Sequence, residues 1–153
     1  MDDCIDLAVG NQHKKDIVEI LEAYLEEHTA DASAVTDIGA VREYEEMRME
    51  QSTEHTRAYI KIQDGCDNFC SYCIVPYLRG RSRSRSIGDV TAEAENSGAK
   101  EIVLTGVDIS SYGKNTGTSL AALCRALKDV PARKRLGSLE VSVVSDELLD
   151  AME

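Results

Sequence analysis

The chain has 153 residues, a formal net charge of −11, 42% hydrophobic residues and only two prolines. This length suits one ordinary domain, and this composition supports a packed core rather than a disordered chain. No run of about 18 apolar residues could span a membrane, and the first residues lack the basic and apolar stretches of a secretion signal. We therefore expect a cytoplasmic protein with reduced thiols and no membrane partner.

The negative charge is concentrated in the first third of the chain. Residues 1–56 hold 15 acidic residues against 4 Lys or Arg, whereas residues 57–153 hold 13 of each. Bulk acidity of this kind speaks against nonspecific coating of a nucleic acid. A local RNA contact in the second part of the chain remains compatible with it.

The N-terminal part predicts one strand and one helix. Residues 6–10 predict a short buried strand, and Asn11 is expected to cap the helix that follows. This helix is predicted over about residues 14–27, because apolar residues recur there at helical spacing. One strand and one helix cannot bury that apolar face alone. Residues 29–56 show little periodicity and many glutamates, which is typical of a solvated face or a mobile linker.

A second domain is predicted to start at Arg57 with a β-strand. Ala58, Ile60 and Ile62 alternate with residues on the opposite face, which is the period of a strand. The cysteine-rich loop follows the strand directly. Loops at the C-terminal ends of parallel strands carry the chemistry in α/β barrels and in open α/β sheets.

The most informative motif is formed by Cys66, Cys70 and Cys73, with three residues between the first pair and two between the second. This spacing lets one short loop arrange three sulfurs around an iron–sulfur cluster, and three thiolates on a four-iron cubane leave one iron open. The alternative is a zinc site completed by a distant residue, since thiolates also suit zinc. No second Cys or His pair follows, as zinc motifs usually require, so the sequence favours the cluster.

Four arginines alternate with small residues after the cysteine loop. They are Arg79, Arg81, Arg83 and Arg85. Guanidinium groups bind phosphates in a two-pronged way, so this run predicts contacts with an RNA backbone. The alternative is a solubilising turn, or arginines that pair with the acidic linker.

The next elements are a helix and a strand. A helix is predicted over residues 87–97, capped by Ser86 and ended at Gly98. Residues 101–106 predict a buried strand, and residues 107–114 form a second loop at the same edge of the sheet. Both loops would follow the C-terminal ends of parallel strands, so we expect them to lie side by side.

Another helix, a third strand and a last helix complete the pattern. The helix is expected to start at Thr118 or Ser119, with Cys124 on its apolar face as a core residue. Ser145 is expected to start the last helix. The third strand is predicted from the alternation of Leu139, Val141 and Val143. Strand and helix thus alternate three times, which indicates a parallel sheet with right-handed crossovers.

These motifs resemble a known family. The Cys-x3-Cys-x-aromatic-Cys run resembles the radical S-adenosylmethionine (SAM) enzymes. Residues 59–66 and 73–85 are similar to the methylthiotransferases, which add a methylthio group to an adenosine beside the tRNA anticodon. Within them the chain is most similar to the threonylcarbamoyladenosine branch, on the runs at residues 101–107, 110–113 and 135–140.

The resemblance implies a fold and a division of the chain. The fold class is α/β: a partial radical SAM (β/α) barrel of about three βα units, preceded by the last strand and helix of an α/β N-terminal domain. Residues 1–28 would end that domain, residues 29–56 would be an acidic linker, and residues 57–153 would be the N-terminal half of the radical SAM domain. The chain is thus expected to be a fragment without the ligands of the family's second cluster, which takes part in sulfur donation. We therefore expect that it cannot complete methylthiolation alone, and we interpret Cys4 as a small apolar residue.

The resemblance also implies cofactors. Cys66, Cys70 and Cys73 would bind a 4Fe–4S cluster, whose open iron would take the amino and carboxylate groups of SAM. Tyr72 would border the SAM adenine, with packing under the loop as the alternative.

Further residues would face the rest of the SAM molecule. Thr105 and Gly106 would offer backbone contacts to the methionine part, and Ser138 and Glu140 lie where a strand could reach the ribose. A surface-facing glutamate is the alternative for Glu140. The role of Asp108 stays open, because the subgroup more often has another polar residue there.

The function implied is that of a tRNA methylthiotransferase, acting at C2 of N6-threonylcarbamoyladenosine next to the anticodon, with tRNA and SAM as partners. A methylthiotransferase that modifies a ribosomal protein is an alternative within the superfamily. A noncatalytic zinc-binding RNA module is the alternative from another class. A radical SAM protein with an unrelated substrate is disfavoured by the runs at residues 77–85 and 136–140.

Overall fold

The computed structural model describes residues 5–27, 33–47 and 56–153. The first elements come from the acidic third of the chain. They are β1 (Ala8–Val9), a 3₁₀ helix (Asn11–His13), α1 (Ile17–Glu27) and β2 (Ser33–Ala34). Strands β1 and β2 pair in parallel.

The remaining elements form a four-stranded sheet with helices between its strands. In chain order they are β3 (Arg57–Asp64), α2 (Val75–Arg79), β4 (Arg83–Ser84), α3 (Ile87–Asn96), β5 (Glu101–Gly106), a 3₁₀ helix (Ile109–Ser111), α4 (Leu120–Ala126), β6 (Arg133–Leu136), a 3₁₀ helix (Val141–Val143) and α5 (Asp146–Asp150). The strand order is β4-β3-β5-β6, with β3, β5 and β6 parallel and β4 antiparallel to β3. Three parallel strands separated by helices confirm the predicted α/β fold of a partial (β/α) barrel.

The hydrophobic core lies where β3 and β5 pack against α3 and α4. Its most deeply buried side chains are Ile60, Ile62, Val90, Ile102, Leu104, Leu123 and Leu127. Burying each such side chain stabilises the fold by roughly 1.5–3 kcal/mol. Cys124 packs against this core, which confirms its predicted role.

Serine caps start three helices, as predicted. The side-chain oxygens of Ser86, Ser119 and Ser145 each accept a hydrogen bond from the amide three residues further on. Each cap satisfies an amide that has no partner within its helix. Gly98 follows α3 with a left-handed φ of 56°. None of the helices in the described ranges is long and apolar enough to cross a membrane.

The predicted third strand over residues 139–143 is wrong. Val141–Val143 is a 3₁₀ helix. The strand beside β5 is β6, which starts at Arg133, eight residues before Val141. β6 contains one apolar residue, Leu136, so no apolar alternation marks this strand in the sequence. Its other half-buried position is occupied by Lys134. Its ammonium group donates to the carbonyl oxygens of Lys128 (3.2 Å) and Val130 (2.6 Å) at the end of the preceding helical region. A half-buried position of β6 is thus filled by a lysine that binds nearby carbonyl groups, and the strand lacks an apolar pattern.

The prediction for the first helix is wrong at its start. Residues 11–13 form a 3₁₀ helix, and α1 begins only at Ile17. Asn11 does not cap α1, since its side-chain amide donates to the Leu78 carbonyl oxygen at 2.8 Å. Within the described part of the chain the apolar face of α1 stays open, because Ile17, Leu21 and Leu25 are 50%, 48% and 63% exposed.

Part of the predicted linker, residues 29–32 and 48–55, lies outside the described residues, as does Cys4. Within the described rest, Ser33–Ala34 forms β2, and the Glu45 carboxylate accepts from the Lys15 amide at 3.2 Å. The division of the chain into an N-terminal domain end, a linker and a half barrel stays a prediction.

Candidate functional site

The cysteine loop starts at the carboxyl end of β3 and lies beside the loop that follows β5. Since the two strands are parallel, their carboxyl ends meet at one edge of the sheet. Gln63 of β3 pairs in register with Gly106 of β5 at this edge. We call residues 63–73, 106–113 and 137–140 together the rim.

The three clustered cysteines are free thiols on the rim. Cys66 and Cys73 are half-buried, and Cys70 is exposed. The Cys73 amide donates to the Cys70 carbonyl oxygen at 2.9 Å, and the Cys66 amide donates to the Gly80 carbonyl oxygen at 3.1 Å. Phe69 has a φ of 47°, which non-glycine residues rarely adopt. The loop therefore turns sharply between its first two cysteines.

The three thiols are soft donors of the kind that iron–sulfur clusters and zinc select. Among the described residues, no three His, Cys, Asp or Glu side chains converge closely enough to hold one ion. Burial raises the pKa of the Cys66 thiol, a backbone hydrogen bond at Asn68 lowers it, and the negative charges of Asp108, Cys70 and Cys73 raise it further. The three thiols thus lie near enough to interact electrostatically.

Gly65 allows the chain to enter the cysteine loop. Its φ of 73° lies in the left-handed region, which glycine adopts without steric cost. A Cβ atom at this position would overlap the Arg81 carbonyl oxygen and lie 2.7 Å from the Gly80 carbonyl oxygen. The segment leading to β4 therefore packs directly against the start of the loop.

Gly65→Ala should destabilise the protein more than Gly117→Ala. Gly117 has nearly the same φ, 72°, but nothing lies within 4 Å of a Cβ atom placed there. The left-handed backbone costs about 1 kcal/mol in both variants, and the overlap at Gly65 adds roughly 1–3 kcal/mol. Urea unfolding of the two variants measures this difference. Equal losses would contradict the close packing between the loop and the segment before β4.

Asn68 connects the cysteine loop with two other rim segments. Its side-chain amide donates to the Glu140 carboxylate at 3.1 Å and lies 3.4 Å from the Asp108 carboxylate. Sequence reasoning did not single out Asn68. Its signal was a side chain with two donors between the first two cysteines of the motif, but its acceptors lie 40 and 72 residues away.

The predicted SAM-contacting residues lie on the rim or directly beside it. Tyr72 is 89% exposed, so it does not pack under the loop. Thr105 and Gly106 end β5, and a Cβ atom on Gly106 would lie 2.9 Å from the Ile109 side chain. Glu140 is exposed, and its amide donates to the Ser110 hydroxyl oxygen at 2.8 Å. The fold thus brings residues from three separate strand ends to one edge.

The predicted phosphate-binding arginines divide into two pairs. Arg83 and Arg85 are only 3% and 2% exposed, whereas the side chains of Arg79 and Arg81 are 42% and 48% exposed. Arg83 donates to the carbonyl oxygens of Arg79 and Arg81, at 2.8 and 3.2 Å. Arg85 pairs with Glu46 of the predicted acidic linker, as the alternative interpretation expected. Arg79 and Arg81 also pair with carboxylates, those of Asp64 at 3.3 Å and Asp67 at 3.4 Å, but their side chains stay partly exposed. An RNA contact therefore stays a prediction for these two arginines.

Comparison with known proteins adds independent information. The profile of the radical SAM superfamily matches residues 60–152. A threonylcarbamoyladenosine tRNA methylthiotransferase of Bacillus subtilis is 36% identical over 157 residues, covering 97% of this chain and 34% of the relative. A tRNA-2-methylthio-N(6)-dimethylallyladenosine synthase of Acetivibrio thermocellus is 35% identical over 155 residues, covering 97% and 32%. A putative methylthiotransferase of Helicobacter pylori is 45% identical over 103 residues, covering 64% and 25%.

The chain spans about a third of the length of the curated relatives that it matches over nearly its whole extent. The superfamily match runs from within β3, through the cysteine loop, to α5. Members of this superfamily in general use SAM and a 4Fe–4S cluster. With the cysteine loop at the carboxyl end of a parallel strand, the chain belongs to the radical SAM superfamily.

Proposed function

We propose that this chain is the cluster- and SAM-binding part of a tRNA methylthiotransferase that acts at C2 of N6-threonylcarbamoyladenosine next to the anticodon. The observation that carries the proposal is the set of three free thiols on one loop at the carboxyl end of β3. The similarity to relatives named as threonylcarbamoyladenosine tRNA methylthiotransferases supports the substrate. A cytoplasmic location stays part of the proposal.

Cys66, Cys70 and Cys73 would hold the 4Fe–4S cluster, which together with SAM supplies one-electron chemistry when bound. The protein's contribution is to bind and orient SAM. Tyr72 offers an exposed ring beside Cys73 for the adenine. The β5 end at Thr105 and Gly106 offers backbone groups for the methionine part.

Glu140 supplies carboxylate oxygens that can accept hydrogen bonds from ribose hydroxyl groups. In the structure this carboxylate accepts from Asn68, whose amide also lies near Asp108. Asn68 therefore connects Glu140 with the cysteine loop, which supports a joint role in binding SAM.

For tRNA, an aromatic and basic surface lies beside the cysteine loop. The rings of Phe69 and Tyr77 meet edge to face with centroids 5.5 Å apart, and the Arg81 guanidinium lies 4.6 Å from the Phe69 centroid. Tyr77 is 68% exposed. Unpaired bases stack on aromatic rings and on arginine planes, and guanidinium groups bind phosphates. We therefore propose that Arg79 and Arg81 contact tRNA with these two rings.

Arg81→Ala should weaken the binding of an anticodon stem-loop and lower the salt slope of the affinity by about one. The matched control is Arg125→Ala. The Arg125 side chain is similarly exposed, at 51%, and pairs with Glu147 as Arg81 pairs with Asp67, but it belongs to α4, outside the rim. Fluorescence anisotropy at several salt concentrations measures both variants. The same salt slope for both would remove Arg81 from the interface. Absence of tRNA binding by the unaltered protein would favour the ribosomal-protein alternative.

The deciding experiment is electron paramagnetic resonance of the reduced protein after anaerobic reconstitution with iron and sulfide. A 4Fe–4S signal that changes when SAM is added supports the proposed cluster and SAM site. A cluster signal indifferent to SAM would contradict the SAM site. Tightly held zinc with no cluster would favour the noncatalytic zinc-binding RNA module instead.

A further inference from the structure

Gln63 lies at the centre of the rim and is fully buried. Its side-chain nitrogen donates to the Gly65 and Asp64 carbonyl oxygens at 2.7 and 3.0 Å, and it lies 3.0 Å from the Ser82 hydroxyl. Its side-chain oxygen accepts from the Asp108 amide at 2.7 Å. One side chain therefore connects the start of the cysteine loop, the segment before β4 and the loop after β5.

Only a side chain with a donor at one position and an acceptor at the other satisfies these partners. The nitrogen faces two carbonyl oxygens, and the oxygen faces an N–H group, so the orientation of the Gln63 amide is unambiguous. A glutamate of the same shape would place a carboxylate oxygen against both carbonyl groups. A methionine would leave the Asp108 amide without this acceptor, and a buried donor without a partner is costly.

Two serines extend the contacts of Gln63 across the rim. The Ser82 and Ser111 hydroxyl oxygens lie 2.8 Å apart, and the Ser111 hydroxyl donates to the Asp108 carbonyl oxygen at 2.8 Å. Each hydroxyl carries one hydrogen, and that of Ser111 goes to Asp108, so Ser82 donates to Ser111. The two hydrogens of the Gln63 amide face three acceptors, the two carbonyl oxygens and the Ser82 hydroxyl oxygen, so one hydrogen is shared between two of them. The backbone of Asp108 is thereby held on both sides, by Gln63 at its amide and by Ser111 at its carbonyl.

Gly106 makes room for this arrangement. A Cβ atom on Gly106 would lie 3.0 Å from the Gln63 side-chain oxygen and 2.9 Å from its carbonyl oxygen. The close approach of Gln63 to the end of β5 therefore depends on the glycine that pairs with it in register. Buried, fully connected polar groups of this kind fix one arrangement of the segments they join.

We propose that Gln63 is a positioning residue that holds the cysteine loop and the loop after β5 in one fixed arrangement. The proposed cluster ligands and the proposed backbone contacts to SAM at Thr105 and Gly106 are thereby presented together. The role of this arrangement in binding the cluster and SAM rests on the proposed function. The mechanical coupling itself does not, and it can be measured in protein that contains no metal.

The first test is site-resolved amide hydrogen exchange of the metal-free protein, followed by nuclear magnetic resonance. Gln63→Met should accelerate exchange at the Asp108 amide by about tenfold and also at the Cys66 amide, because the bonds that hold both loops are lost. The β5 amides around Leu104 report global opening and should change far less. Gln12→Met removes a glutamine outside the rim and serves as the matched control. Unchanged exchange at Asp108, or equal acceleration at every amide, would overturn the proposal.

Ser111→Ala keeps the test decisive if Gln63 variants fail to fold. This substitution removes the acceptor of Ser82 but leaves the Gln63 amide with its carbonyl partners. It should accelerate exchange at the Asp108 and Cys66 amides by a smaller factor than Gln63→Met, again without opening β5. Wild-type exchange at both amides in Ser111→Ala would count against the coupling.

The second test is a SAM titration of the reconstituted protein by electron paramagnetic resonance. Gln63→Met should raise the SAM concentration for half of the spectral change by about tenfold, while retaining the cluster signal. A wild-type titration in this variant would overturn the positioning role. If the unaltered protein binds no cluster, the proposed function fails, and the exchange measurements alone decide whether Gln63 couples the two loops.

Discussion

Replacing any one of Cys66, Cys70 and Cys73 by serine should lower the iron and sulfide bound after anaerobic reconstitution to less than about a tenth of the unaltered protein's content. A serine hydroxyl is a hard, protonated oxygen, whereas an iron–sulfur cluster selects soft thiolates. Each cysteine is expected to hold a separate iron, so the loss of one ligand exposes a cluster corner to solvent. Metal analysis, acid-labile sulfide and visible absorbance measure the result.

Cys124→Ser is the matched control for these variants. Cys124 is half-buried and packs against the core of the sheet and helices. Burial raises the pKa of its thiol, with a smaller opposing influence from Arg125, and the residue lies on α4, outside the rim. Cys124→Ser should keep its cluster. Retention of iron in all three loop variants would show that the rim does not hold the cluster.

Arg85→Met should lower the free energy of unfolding by about 3–5 kcal/mol. The Arg85 guanidinium is almost completely buried, and it lies 2.7 Å from the Glu93 carboxylate and 2.8 Å from the Glu46 carboxylate. The Glu93 side chain is only 15% exposed, so removal of Arg85 leaves a carboxylate unpaired in a region of low dielectric. The guanidinium also lies 5.8 Å from the Tyr44 ring centroid, a distance at which a cation–π attraction contributes.

Arg125→Met is the control for the stability of an ion pair at the surface. Arg125 and Glu147 lie 3.0 Å apart, but their side chains are 51% and 60% exposed. Solvent screens such a pair, and its loss should cost less than about 1 kcal/mol. Urea unfolding monitored by circular dichroism measures both variants. Equal losses would show that the environment of Arg85 does not differ from that of a surface arginine.

A double variant separates the two sources of the Arg85 effect. In Arg85→Met combined with Glu93→Leu, the buried carboxylate is removed together with its partner. Part of the lost stability should return, because an uncompensated buried charge is more costly than the absence of the whole pair. A double variant less stable than Arg85→Met alone would indicate that lost packing, rather than the unpaired carboxylate, dominates.

Arg85 and β3 also contact the described part of the predicted acidic linker. Glu46 comes from the predicted linker, and the Tyr44 hydroxyl of the same segment donates to the Lys61 carbonyl oxygen at 3.2 Å. This segment therefore contacts β3 through Tyr44 and Arg85 through Glu46. Arg85, which the sequence predicts as an RNA contact, binds an acidic side chain within the protein instead.

Features that depend on neighbouring residues in the chain were predictable from the amino-acid sequence. Strands β3 and β5, the serine caps, the core role of Cys124 and the spacing of the cysteine motif all follow from local patterns. A cap needs an amide three residues away, and a strand needs alternation over about six residues. The resemblance to the radical SAM enzymes rested on such contiguous runs, and the superfamily match confirms it.

Features that depend on distant partners were decided by the tertiary structure. The alternation along β3 predicts that Gln63 and Ile62 lie on opposite faces of the strand, yet both side chains are buried. Strands β4 and β5 flank β3, and the rim loops enclose its carboxyl end. The bond between Asn68 and Glu140 joins residues 72 positions apart, and it exists only because parallel strands end at one edge. Arg85 could not be distinguished from Arg81 by its neighbours. Its burial depends on carboxylates supplied by separate elements, which only the folded chain brings together.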